Sequence, residues 1–412
     1  MYFDCIVIGG GASGMMAAIT TAKNGLNTGI LEHSDRVGKK ILQTGNGKCN
    51  ITNTALQKDC YLCDDKDFVM DVIELFNVSD TIEFFKSLGI YSKSKNGYIY
   101  PNSEQASSVL DVLRLELEHQ KVSINTDIDV INIGKVDDLF KINTTKGQFS
   151  CKSLIVATGS NAAPKSGSDG SGYKLAKALG HSIIKPLPAL VQLKSDLDLC
   201  KMMSGVRSEG KVQLMVDDEL VAADTGEVQY TDYGISGIPV FQISRFAVRA
   251  VDANRKTEVV IDMLPLINEF DLVNLLKSRI PHDGYKTLDQ FFTGLLNKKL
   301  VGAVLKRAKL NQNDITSNKI DALEKIVSII KAFVVPITGF NSFENAQVCS
   351  GGVNTSEINS KTMQSNIIND LYFAGEVVDV DGICGGYNLQ WAWSSGFVAG
   401  VQASKQTKIK IN

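Results

Sequence analysis

Histidine and cysteine are scarce in this chain, and long apolar runs are missing. The four histidines (His33, His119, His181, His282) are scattered through 412 residues. None stands at ligand spacing from another, so no metal site is expected. Eight cysteines are too few for a disulfide scaffold and suit a compartment that keeps thiols reduced. Cys60 and Cys63 form the one C-x-x-C pair. No further zinc ligands stand nearby, which leaves a redox dithiol or two ordinary packed thiols. No run approaches the roughly 18 apolar residues that would span a bilayer. The first apolar run has no basic segment ahead of it, so it reads as a strand rather than a signal peptide, and a cytoplasmic location is expected. A net charge of −2 gives the whole molecule no electrostatic pull toward nucleic acid or anionic membrane, and neither is expected as a partner.

What is present has the composition of a globular enzyme, 44% hydrophobic and 21% charged, with length for two or three domains. The strongest signal is Cys5–Glu32, CIVIGGGASGMMAAITTAKNGLNTGILE. An apolar run ends at Ile8. G-x-G-x-x-G follows at Gly9, Gly11 and Gly14, and an Ala- and Met-rich helical stretch closes at Asn24-Gly25. A second apolar run then ends at Glu32. Gly9 permits the tight turn, Gly11 lets a pyrophosphate approach the backbone, and Gly14 lets helix and strand pack closely. The helix N-terminus, at Ala12 and Ser13, faces the phosphate charge. Glu32 stands 18 residues past Gly14, near the roughly 20 expected of an acid that holds ribose hydroxyls. A dinucleotide site is therefore expected. The plain alternative is a glycine-rich turn without a ligand.

Residues 34–53 read as a polar loop that begins at the ribose acid. Its cations and amides (Arg36, Lys39, Lys40, Gln43, Asn46, Asn50) suit contact with an extended cofactor, and Cys49 reads as packing. Residues 67–90 and 107–119 show helical periodicity. Short strands are expected at 122–125, 129–133, 140–144 and 147–151. Val130 is placed on the third parallel strand, with its backbone toward an adenine. Ser153–Gly159 is a buried strand ending in Ala-Thr-Gly, where Thr158 and Gly159 permit close approach. GSDGSG at 167–172 has no strand before it and reads as a loop leading into a helix.

Period-two alternation from Ala189 to about Asp262 marks a β-rich unit, and 264–331 is mostly helical. The basic run 298–309, KKLVGAVLKRAK, reads first as a solvated face and second as a site for an acidic partner. Near the C-terminus, Asp370–Glu376 is a strand ending in Ala-Gly-acid (Gly375, Glu376). The turn Gly385-Gly386 precedes a helix rich in small residues, whose N-terminus aims at a ligand.

The segments GKKILQTGNGKCNITN, YGISG, NAQVCSGGV, LYFAGEVVDVDG and GGYNLQWAWSSG together resemble the BaiN-like flavoprotein family of NAD(P)/FAD-dependent oxidoreductases, over nearly the whole chain and in the same order. The resemblance implies an α/β protein, a Rossmann-like FAD-binding domain with an inserted barrel-like β-rich domain and a helical domain. The expected segments are 1–188 and 336–412 for the FAD domain, 189–263 for the β-rich insert and 264–335 for the helical insert. It places the pyrophosphate on Gly9–Gly14, the adenosine ribose at Glu32 and His33, and the adenine at Val130. Lys39, Lys40 and the Gly45-Asn46 turn line the cofactor. Glu376 and Asp381 meet the ribityl–pyrophosphate, and Gly386, Tyr387, Asn388 and Leu389 meet the isoalloxazine. The implied activity is reduction of a small organic substrate by hydride transfer at flavin N5, with NAD(P)H as a transient donor. An oxidase that passes electrons to O2 is the alternative enzyme. A flavin-binding sensor or RNA-associated flavoprotein is the non-enzyme alternative, resting on 298–309 alone. No catalytic acid or base is assigned; Tyr230, Tyr233 and Tyr387 are candidates by composition only. The oligomeric state stays open.

Overall fold

The computed structural model describes residues 1–411. The chain forms two compact units, one from residues 1–187 with the chain from Gln347 onward, the other Pro188–Ala346.

In the first unit the opening strand, Tyr2–Ile8, is sandwiched between parallel neighbours. Thr28–Leu31 pairs on one side and Gly147–Val156 on the other. Ser123–Asn125 extends the sheet beyond Thr28–Leu31, and Leu371–Phe373 pairs with Leu154–Val156, both parallel. Cys5, Ile6, Val7, Leu154, Ile155 and Val156 are all buried, as a parallel sheet covered on both faces requires. The expected strands 147–151 and 153–159 are one strand. Its first half pairs antiparallel with Leu139–Thr144 and alternates in burial, while its second half lies in the parallel sheet. Sequence periodicity changes at that handover, which is why the strand reads as two pieces.

Two other expectations are corrected. Residues 67–90 form two helices, Lys66–Leu75 and Val78–Ser87. Asn77 breaks them: its side chain accepts from the Ser79 and Asp80 N–H groups while Asp80 accepts from Asn77 N–H, a capping box that starts a new helix. Val130 opens an antiparallel edge strand, Val130–Val136, and the third parallel strand is Ser123–Asn125.

The helix after the glycine turn, Ala12–Lys23, packs against the C-terminal helix Tyr387–Ile411. A Cβ at Gly400 would lie 2.8 Å from the Ala17 carbonyl oxygen, and one at Gly396 would run into that of Ser13. The small residues of the C-terminal helix thus allow a close backbone crossing. Its two tryptophans are buried and anchored: Trp391 Nε1 donates to Gly375 O and Trp393 Nε1 to Ile51 O, each at 3.0 Å.

The second unit holds a seven-stranded antiparallel sheet. Its strand order is Phe333–Pro336, Thr257–Asp262, Arg207–Val216, Glu219–Thr231, Gly234–Ser236, Leu193–Lys194, Gly339–Phe340. Helix Ile238–Asp252 packs on its long central strands. The helices Glu269–Asp283, Lys298–Ala308 and Leu323–Lys331 are an excursion between two adjacent strands, because Phe333–Pro336 returns to pair with Thr257–Asp262. The strand-rich and helical inserts read from the sequence therefore share one unit. No helix among the described residues is long and apolar enough to cross a membrane.

Candidate cofactor-binding site

The site lies at the carboxyl end of the parallel strands in the first unit. Gly9 turns the chain with φ +98, and a Cβ there would run into the Ala157 backbone carbonyl. A Cβ at Gly14 would strike the carbonyl of Gly9. Both positions demand glycine for reasons internal to the protein. Gly11 is different. It has an ordinary φ of −76 and nothing within 4 Å of where its Cβ would stand. Only something outside the chain needs the room that Gly11 leaves.

Gly11 is also the N-cap of helix Ala12–Lys23, and it supplies no side-chain cap; the first turn carries no acid. The N–H groups of that turn have no intrahelical partner, and the helix dipole adds positive potential there. Beside it, Glu32 is buried. Its Oε2 accepts from Gly10 N–H and its Oε1 from Ser34 N–H, each at 2.7 Å. Each carboxylate oxygen keeps a further lone pair for a ribose hydroxyl.

These groups line one cleft whose empty space, mouth included, is about 1310 Å³. Of the residues expected at the cofactor, Gly9, Gly11, Ala12, Ser13, Glu32, His33, Lys39, Lys40, Val130, Thr158, Gly159, Glu376, Asn388 and Leu389 line it. Gly14 serves the helix–strand contact behind it. Gly45 and Asn46 form a left-handed turn adjoining Thr44, which does line the cleft. Gly375 lies against Ser13. Asp381, Gly386 and Tyr387 support the first turn of the C-terminal helix: Asp381 opens the segment Asp381–Gly382, and the Asn388 side chain bridges Gly382 N–H and C=O, each at 2.8 Å.

The donor set fits FAD. It combines an uncapped helix start for the pyrophosphate and a buried carboxylate for ribose. At the cleft wall the hydroxyl oxygen of Thr158 is buried and has no partner among the described residues. Lys40 Nζ pairs with Glu376 Oε2 at 2.7 Å, and Glu376 Oε1 accepts from Cys349 N–H at 2.9 Å. Burial pushes the Cys349 thiol up to about 12, and does the same for Cys49; neither is a thiolate at neutral pH. Cys60 Sγ contacts Ala55 O and Cys63 Sγ contacts Asp65 O, and the two are not joined by a disulfide.

Sequence reading missed several lining groups. Asp129 binds the His33 ring, and that hydrogen bond raises the His33 pKa. The 166–168 loop closes on the ribose acid: a Cβ at Gly167 would sit 2.6 Å from Ser34 Oγ and 3.6 Å from Glu32 Oε1. Asp129 carries no local signal, and the glycine-rich run 167–172 is a signal that the lack of a preceding strand sets aside; both come to the cleft by tertiary approach. The tyrosine candidates do not line it. Tyr230 is buried in the second unit, Tyr233 is partly exposed there, and the Tyr387 ring stacks edge-on with Tyr61.

Comparison with known proteins agrees with this geometry. Residues 3–402 match the family described as "HI0933-like protein Rossmann domain". A 3-dehydro-bile acid delta(4,6)-reductase of Clostridium scindens is 42% identical over 403 residues, covering 97% of this chain and 98% of that protein. A ribosomal RNA dihydrouridine synthase of Haemophilus influenzae is 31% identical over 415 residues, covering 98% and 99%. Among solved structures, the 3-ketosteroid delta1-dehydrogenase of Sterolibacterium denitrificans shares the fold with a TM-score of 0.52 at 11% identity, covering 98% of this chain and all (100%) of that one. The chain belongs to the HI0933-like (BaiN-like) family and is an FAD-dependent oxidoreductase.

Proposed function

We propose that the protein reduces a small organic substrate, with NAD(P)H as a transient electron donor to FAD held in the Gly9–Leu389 cleft. The observation that carries the cofactor assignment is the uncapped helix start with open space at Gly11, beside buried Glu32. FAD supplies two-electron hydride chemistry when bound. The chain's part is to hold it. The Gly11–Ser13 backbone takes the pyrophosphate charge, Glu32 accepts from ribose hydroxyls, and the C-terminal helix start at Tyr387–Leu389 favours negative charge at its end. The bile-acid relative, 42% identical over almost the full length, makes a conjugated steroid-like enone or dienone the first substrate class to test.

A second reading, reduction of a base in RNA, is favoured by the name of the Haemophilus relative and of a 28% identical Escherichia coli relative. The basic run gives it little support. Lys299 donates to Ser204 O, Arg307 donates to Val334 O, and Lys298 pairs with Asp289. Lys298, Lys299, Lys306 and Lys309 are all exposed.

The test is an anaerobic titration of the purified yellow protein with NADH and NADPH, followed by separate additions of a 3-oxo-delta(4,6) bile acid, ribosomal RNA and air. Bleaching near 450 nm, then reoxidation by the bile acid alone, supports the leading reading. Reoxidation by RNA moves the assignment to the second. No bleaching by either nicotinamide removes NAD(P)H from the proposal, and fast turnover with air alone makes the protein an oxidase.

A further inference from the structure

We infer that the unit Pro188–Ala346 carries a second binding site, for a small zwitterion with a carboxylate at one end and an ammonium at the other. The site is a cavity between the segment Asp196–Leu199, the last turn of helix Lys298–Ala308 and Pro336. It shares no residue with the cofactor cleft. The inference therefore goes beyond the reaction proposed above and does not rest on it.

Four ionic side chains line this cavity: Asp196 and Asp198 from the one segment, Lys306 and Arg307 from the helix. None of the four is ion-paired with another or with any other described residue. The cations around them are used differently. Lys298 pairs with Asp289, Lys319 with Asp314 and Lys331 with Asp262, while Lys299 donates to Ser204 O and Lys325 to Ala308 O. Opposite charges around one cavity attract each other. Left apart, both signs are available to a third molecule.

Arg307 is the best fixed of the four. Its guanidinium carbon lies 5.0 Å from the centroid of the Phe333 ring, and its Nη1 donates to Val334 O at 2.9 Å. Those contacts occupy one face and one N–H. The remaining N–H groups form the planar fork that matches a carboxylate. Asp198 precedes the short helix Leu199–Met203 and yet makes no side-chain cap bond to it, so its carboxylate oxygens are free to accept from an ammonium. Lys306 and Arg307 also complement the dipole of their own helix, being in its last turn. That role accounts for two cations and leaves the two unpaired carboxylates in the same cavity without a purpose.

Charge selects the class of ligand. Two carboxylates and two cations sum to zero. An anion gains from Lys306 and Arg307 and is repelled by the aspartates; a metal ion or an amine meets the reverse. Only a molecule carrying both charges gains from both pairs. The same balance turns away a polyanion such as RNA.

The test uses the full-length, FAD-loaded protein, so that the cofactor cleft is filled. Calorimetric titrations are run with glycine, γ-aminobutyrate and ε-aminocaproate, which differ in the distance between their charges, and with caproate and hexylamine, which carry one charge each. One of the amino acids is expected to saturate a single site, and each one-charge probe to bind about tenfold more weakly or worse, as the loss of a charged hydrogen bond implies. Asp198→Asn and Lys306→Gln change exposed side chains. Each is expected to weaken the amino acid by a similar factor and to leave the melting temperature of the FAD-loaded protein unchanged. Caproate bound as tightly as the best amino acid would make the cavity an anion site and overturn the inference, and hexylamine bound as tightly would overturn it in the other sense. Binding that survives both variants lies elsewhere on the molecule and would overturn it too. So would the lack of saturable binding by any of the three amino acids up to about 10 mM.

Discussion

Lys40 and Glu376 form a 2.7 Å ion pair across 336 residues of sequence. The side chains are about a quarter and a fifth exposed, and Glu376 also fixes the Cys349 N–H. The pair therefore ties the loop after the second strand to the returning C-terminal segment on one wall of the cleft. Replacing Lys40 by Met leaves a partly buried carboxylate without its cation. The expected loss is about 1–2 kcal/mol, below the full penalty of a buried pair because water still reaches both groups. Urea unfolding of the apo-protein measures it, and an unchanged midpoint would show that the pair is energetically idle.

Gly11 and Gly14 separate binding from folding. Gly14→Ala drives a methyl into the Gly9 carbonyl, so the strand–helix packing must open and the variant is expected to fold poorly. Gly11→Ala meets no protein atom and keeps an allowed φ. Apo stability should stay within about 0.5 kcal/mol, as for an ordinary unstrained substitution, while FAD affinity falls at least tenfold. Thermal melts of apo and FAD-loaded protein distinguish the two. A Gly11→Ala protein that binds FAD normally would contradict the pyrophosphate assignment.

Two histidines should titrate in opposite directions. The hydrogen bond to Asp129 raises His33 above its ordinary value, so its contribution is complete below about pH 6.5 and is lost as pH rises through the folded pKa. Half-exposure keeps that contribution small. His181 is buried, with Nε2 2.8 Å from Ser365 Oγ, and burial lowers its pKa. The fold therefore takes up a proton less readily than the unfolded chain, so stability falls as pH drops below about 6.5, where the unfolded chain is protonated first. NMR titration of the two rings checks both signs. Asp129→Asn should move His33 back toward the ordinary value and leave His181 unmoved.

The Asn77 capping box offers a test away from the site. Asn77→Ala removes the acceptor for two N–H groups at the start of Val78–Ser87. A loss of about 1 kcal/mol is expected in denaturant unfolding, with FAD affinity unchanged.

The sequence by itself determined what depends on neighbours in the chain. Glycines at 9 and 14 followed by a helix and an acid dictate a strand–turn–helix–strand unit, because the tight turn and the close helix packing admit no other residue at those two positions. Alternating and continuous apolar runs likewise distinguish the antiparallel sheet of the second unit from the buried parallel one. Local signals also misled where two environments share one strand, as in Gly147–Val156, or where a cap splits one helical period, as at Asn77. Only the tertiary structure decided which distant groups meet. Asp129 reaches His33, Gly167 reaches Glu32, Glu376 reaches Lys40, and Gly386 makes room for Asn50. The physical reason is that a site at the ends of parallel strands is assembled from loops far apart in sequence. Their side chains are chosen for partners that no local pattern contains.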